Sequence, residues 1–132
     1  MIPMATKFSE VYDSFESSFQ DKCIIPEELE LLWLKKAVAQ YSIEIEELPY
    51  DEEEGIFEIT LNQYVIDSIA QAMKVFYMER EVSKVNKRVS IVSKDISIDG
   101  NNGSKTAARA ELEYNDLKLE RMYANQKPTA YA

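Results

Sequence analysis

Asn62-Gln-Tyr-Val-Ile-Asp-Ser-Ile-Ala-Gln-Ala-Met-Lys-Val-Phe-Tyr77 is the stretch on which the fold turns. Val65, Ile66, Ile69, Ala70, Met73, Phe76 and Tyr77 recur at intervals of three and four, the period of one helix face. Asn62 stands where a helix cap belongs, because its side-chain carbonyl can accept a first-turn N–H. Beyond Tyr77 the chain becomes highly charged, with Glu79, Arg80, Glu81, Lys84, Lys87 and Arg88. Basic residues suit the C-terminal end of a helix, where free carbonyls concentrate partial negative charge.

Working toward the N-terminus, residues 48–58 read Leu-Pro-Tyr-Asp-Glu-Glu-Glu-Gly-Ile-Phe-Glu. Pro49 and Gly55 punctuate a loop whose tip is the acid run Asp51, Glu52, Glu53 and Glu54. The alternating flanks Ile43–Ile45 and Ile56–Ile59 suggest a short hairpin. Four acids in a row read either as a solvated loop or as oxygen ligands for a divalent cation. The solvated loop is preferred, because consecutive side chains point in different directions.

Before that loop, Pro26-Glu-Glu28 is a helix start: proline lacks the N–H that a first turn leaves free, and the acids favour the positive end. The helix runs on through Leu29, Leu32, Trp33, Lys36, Ala37, Gln40 and Tyr41, and a second row is Leu31, Leu34, Val38 and Ile45. A helix apolar over more than half its surface is either central to a bundle or buried against another chain. The first helix is shorter, with Phe8, Val11, Tyr12, Phe15 and Phe19 on one stripe that reads as core.

Toward the C-terminus, Val89-Ser-Ile-Val-Ser-Lys-Asp-Ile-Ser-Ile-Asp99 is rich in β-branched residues and reads as a strand pair or an extended strap. Gly100-Asn-Asn-Gly103 reads as a turn and Ser104 as the cap of a fourth helix. On that helix Ala108, Leu112, Asn115, Leu119 and Met122 mark one face, expected to pack antiparallel on the third helix. Ala107, Ala110, Tyr114 and Leu117 mark a second face. The pattern stops at Ala124, and residues 124–132 read as an extended arm or a plain terminus. The expected fold is therefore all-α: a four-helix bundle over residues 1–123, an acidic loop between helices 2 and 3, and an extended or short β segment between helices 3 and 4. A C-terminal arm follows.

The 132 residues fit one domain. Charge is uneven: residues 1–58 hold four Lys/Arg against fifteen Asp/Glu, and residues 59–132 hold eleven against nine. The net charge of -9 argues against nucleic-acid binding as a primary role. Such asymmetry suits head-to-tail stacking of identical subunits, though a solvated acidic surface gives the same count. Histidine is absent, which removes Ser-His and Cys-His nucleophile pairs and the commonest zinc ligand. Cys23 is the single cysteine and has no disulfide partner within the chain; it reads as a small buried or half-buried thiol. There is no phosphate-binding glycine loop and no CxxC or HExxH motif. No catalytic, cofactor-binding or metal site is expected. No apolar run approaches the roughly 18 residues of a membrane span, and no export signal is read at the start of the chain.

Four segments in order resemble the small neck proteins of long-tailed bacteriophages of Gram-positive hosts. They are Lys7-Phe-Ser-Glu-Val-Tyr-Asp-Ser-Phe15, Leu34-Lys-Lys-Ala-Val-Ala-Gln-Tyr41, Leu48-Pro-Tyr-Asp-Glu-Glu-Glu-Gly-Ile-Phe57, and Ile69-Ala-Gln-Ala-Met73 running into Phe76-Tyr77. Ser93-Lys-Asp-Ile-Ser97, the helix after it and the tyrosine-containing tail add to the likeness. The resemblance spans roughly residues 7 to 123.

It implies a head-to-tail connector, also called an adaptor or head-completion protein. Such a protein forms a homo-oligomeric ring, commonly twelve-fold, beneath the portal protein. It docks the next neck or tail-terminator protein and lets DNA pass without sequence-specific binding. It would be assembled in the host bacterial cytoplasm and reside in the virion neck. By the same resemblance, Lys127, Pro128, Thr129 and Tyr131 would contact the portal or a neighbouring subunit. The acid run Asp51–Glu54 would face the channel or ring surface. The chain is heavier than the family pattern over 89–103, where Val89, Ile91, Val92, Ile96 and Ile98 are expected to make an inter-subunit contact. The competing expectation is an acidic regulatory binder that mimics DNA or sequesters a basic protein.

Overall fold

In the computed structural model the described residues are 5–19, 25–92 and 99–127. Four helices pack together: α1 (Phe8–Ser17), α2 (Glu27–Glu44), α3 (Gln63–Val92) and α4 (Asp99–Gln126). A hairpin of β1 (Tyr50–Asp51) and β2 (Ile56–Phe57) stands between α2 and α3. No helix among the described residues is long and apolar enough to cross a membrane.

Helix α3 takes the centre, and α1, α2 and α4 all pack on it. Its expected stripe is buried from Val65 to Met73 and again at Tyr77. Burial extends further around the helix, to Ser68, Gln71, Ala72, Val75 and Met78. Small and polar residues at 68, 71 and 72 let neighbouring helices approach on every side. Asn62 caps the helix, its Oδ1 accepting the Val65 N–H at 2.9 Å. Helix α2, the more apolar by sequence, lies to one side. It buries Trp33, Leu34, Ala37, Val38 and Tyr41 and leaves Leu32 and Ile43 exposed.

Helix α1 buries Phe8, Val11 and Phe15, as its stripe indicates. The Glu10 carboxylate accepts the Lys7 N–H at 2.7 Å and closes the first turn. Edge-on ring contacts Phe15–Phe19, Phe15–Trp33, Phe19–Tyr77 and Trp33–Tyr77 join α1, α2 and α3 into one aromatic cluster. Ser14 Oγ adds a polar link, donating to Asp67 Oδ1 on α3 at 2.8 Å.

Three expectations are corrected. The hairpin strands are Tyr50–Asp51 and Ile56–Phe57, and Ile43 and Glu44 belong to α2. The short alternation at 43–45 lies within the reach of a helix already propagating from Glu27, and each added residue gains a backbone hydrogen bond. Val89, Ile91 and Val92 are helical, the last turn of α3, rather than extended. β-branching costs a helix only a few tenths of a kcal/mol per residue, too little to stop one this long. The fourth helix starts at Asp99, so Gly100–Gly103 is not a turn and Ser104 lies inside the helix. Each glycine costs that helix about 1 kcal/mol relative to alanine, a cost that the 28-residue helix carries. Ile96 and Ile98, the rest of the expected contact segment, lie outside the described residues, as does Cys23.

Candidate interaction surfaces

The acid run is built as a tight turn. Asp51 Oδ1 accepts the N–H groups of Glu53 (3.0 Å) and Glu54 (3.2 Å), so this carboxylate is turned back on its own loop. Gly55 closes the turn at φ 67, and its N–H reaches the Asp51 carbonyl at 2.9 Å. Glu52 meets Lys35 of α2 at 3.3 Å. Glu53 and Glu54 are exposed. Among the described residues no group of three or more acids or cysteines is arranged to hold a metal ion.

The hairpin is clamped to the start of α1. The Phe8 N–H donates to the Gly55 carbonyl at 2.8 Å, and the Phe57 N–H to the Thr6 carbonyl at 2.7 Å. Buried Thr6 accepts the Leu61 N–H on its hydroxyl at 2.7 Å. Phe8 packs edge-on against both Tyr50 and Phe57. The acidic tip is therefore held rigidly at one end of the bundle, beside the α2–loop junction.

At that junction a groove of about 480 Å³ opens between the outer side of α2 and the chain entering the hairpin. Val38, Ala39, Ile43, Leu48 and Pro49 give it an apolar floor, with Lys35 and Glu47 at the rim. Ile43 is 85% exposed. Leu32, Lys36, Ala39 and Ile43 form an exposed row on α2 at helical spacing. Lys36 Nζ lies 5.0 Å above the Phe76 ring.

Helix α4 carries the second outward row. Of its two apolar faces, the one with Leu112, Asn115, Leu119 and Met122 turns inward. The other, Ala107, Ala110, Tyr114 and Leu117, is exposed; Tyr114 is 66% and Leu117 53% accessible. Lys118 and Arg121 follow Tyr114 and Leu117 at i+4, and Glu113 precedes Leu117 by one turn.

The end of α4 is tied into the bundle. Gln126 accepts the Tyr41 hydroxyl at 2.7 Å and donates to Ser68 Oγ, linking α2, α3 and α4. Lys127 pairs with Glu44 at 2.8 Å. Residues 124–126, which begin the expected arm, are the last turn of α4. Pro128, Thr129 and Tyr131 lie outside the described residues. Tyr123 stacks edge-on to Tyr41, and its buried hydroxyl has no hydrogen-bond partner among the described residues. Burial, then the nearby Glu44 carboxylate and Tyr41, hold its phenol well above the ordinary range.

A second groove, about 760 Å³, separates α1, α3 and the first half of α4. Lys74 sits there, donating to the Ser18 carbonyl at 3.0 Å and lying 4.9 Å above Phe19. Burial lowers its pKa, and Lys118 lowers it further against the opposing pull of Glu111.

Comparison with protein-family models, with curated proteins and with solved structures finds no match. The two outward rows are what sequence reasoning left incomplete. The α4 row was visible as a second face. The α2 row was merged into a general apolar excess, because periodicity does not say which residues α3 will cover.

Proposed function

We propose that this chain is a structural assembly protein without catalytic activity, a head-to-tail connector at the neck of a long-tailed phage. It forms a ring that joins the portal to the next neck or tail protein, and DNA passes through without sequence-specific contact. The observation that carries the reading is the surface. A bundle packed around α3 still leaves Leu32, Ala39 and Ile43 exposed on α2, and Ala107, Ala110, Tyr114 and Leu117 exposed on α4. Unpartnered rows of this kind mark protein contact.

The acidic hairpin supports the same reading. A rigid negative tip at the channel or ring face repels the phosphate backbone and keeps DNA sliding. Residues 128–132 would supply the arm to the portal or a neighbouring subunit.

The test is electron microscopy of particles assembled with a tagged copy of the chain. Label in a ring at the head-to-tail junction is the expected result. Particles without label, with the protein free in the lysate, would refute the connector and favour the acidic regulatory binder. That alternative would bind a cationic protein with strong salt dependence.

A further inference from the structure

We draw no further inference here: the strongest candidate, the exposed apolar faces of α2 (Leu32 and Ile43) and α4 (Tyr114 and Leu117), carries nothing beyond the reading already given, because nothing in the structure shows what covers them.

Discussion

The Gln71 side-chain amide on α3 donates to both the main-chain carbonyl (2.9 Å) and the Oδ1 (3.1 Å) of Asn115 on α4. Both residues are buried, and the Asn115 amide in turn donates to the Glu111 carbonyl at 2.8 Å. An apolar helix pair can slide by one turn at modest cost. A buried amide pair cannot, because every other register leaves polar groups dry and unmade. Gln71→Leu strands the Asn115 oxygen and should cost about 1–3 kcal/mol in urea unfolding. The double variant Gln71→Leu/Asn115→Leu should recover most of that loss. Additive losses would show that the pair does not act as a unit.

Phe15 and Ile69 are both fully buried, on α1 and α3. Truncation leaves a cavity in packing that relaxes only in part. Phe15→Ala should cost about 3–5 kcal/mol and Ile69→Ala about 2–5 kcal/mol. Ile43→Ala, on the open side of α2, should change the unfolding midpoint little. Equal losses at Ile43 and Ile69 would mean the helix faces are wrongly assigned.

The contrast between Ile69 and Ile43 shows how far the sequence could be read. Helix faces on α1, α3 and α4 were legible, because burial on one side imposes a period. The Asn62 cap was legible from side-chain chemistry alone. The position of α3 at the centre was not. It depends on Ser68, Gln71 and Ala72 being buried, and periodicity scores such residues as surface. The courses of 89–92 and 99–103 were misread for a related reason. Local propensities of valine, isoleucine and glycine are weak preferences of a kcal/mol or less, and long helices propagate through them. The candidate surfaces were half legible: their apolar content was plain, but which rows stay uncovered is a property of packing.

Three phenols make the fold sensitive to alkali. Burial, with Glu30 and Glu27 behind it, pushes Tyr12 up to about 12 from 10.0. Burial also raises Tyr41, with Glu46 contributing, and raises Tyr123. Below the unfolded value of 10.0 each phenol is protonated in both states, so the stabilising effect is fully present. Above it the unfolded chain releases protons that the folded chain retains, and stability falls as pH climbs through about 12. Urea midpoints should be flat below pH 10 and drop beyond it, more shallowly for Tyr12→Phe. Tyrosinate absorbance rising fully at pH 10 while the helical signal persists would contradict this.

Gln126 is the junction through which the last turn of α4 is held. Its side chain accepts from Tyr41 and donates to Ser68 and to the Met122 carbonyl. Gln126→Ala leaves the hydroxyl of Tyr41, a residue that is 1% exposed, without its acceptor. It should cost about 1–3 kcal/mol. A truncation after Ala124 should lose at least as much, since it also removes the Lys127–Glu44 pair. A truncation after Lys127 keeps both. Identical stability for the two truncations would show that the Gln126 contacts carry no weight in solution.

Gly55 decides whether the acidic tip keeps its shape. Its φ of 67 lies where a side chain is strained, although an added Cβ would meet no atom within 4 Å. The cost of Gly55→Ala is therefore conformational, roughly 1–2 kcal/mol. It should fall on the hairpin and on the α1 start it holds, because the Gly55 carbonyl accepts the Phe8 N–H. Gly55→Asn should cost less, since asparagine tolerates the left-handed region. Asp51→Ala removes the acceptor for two N–H groups of the same turn and should loosen it without disturbing the α3–α4 pair. Hydrogen exchange reads this directly: the amides of Phe8, Gly55 and Phe57 should exchange faster in both Gly55→Ala and Asp51→Ala, while those of the α3 core stay protected. Faster exchange throughout α3 would show that the hairpin and the bundle unfold as one unit rather than as a tip clamped to a stable core.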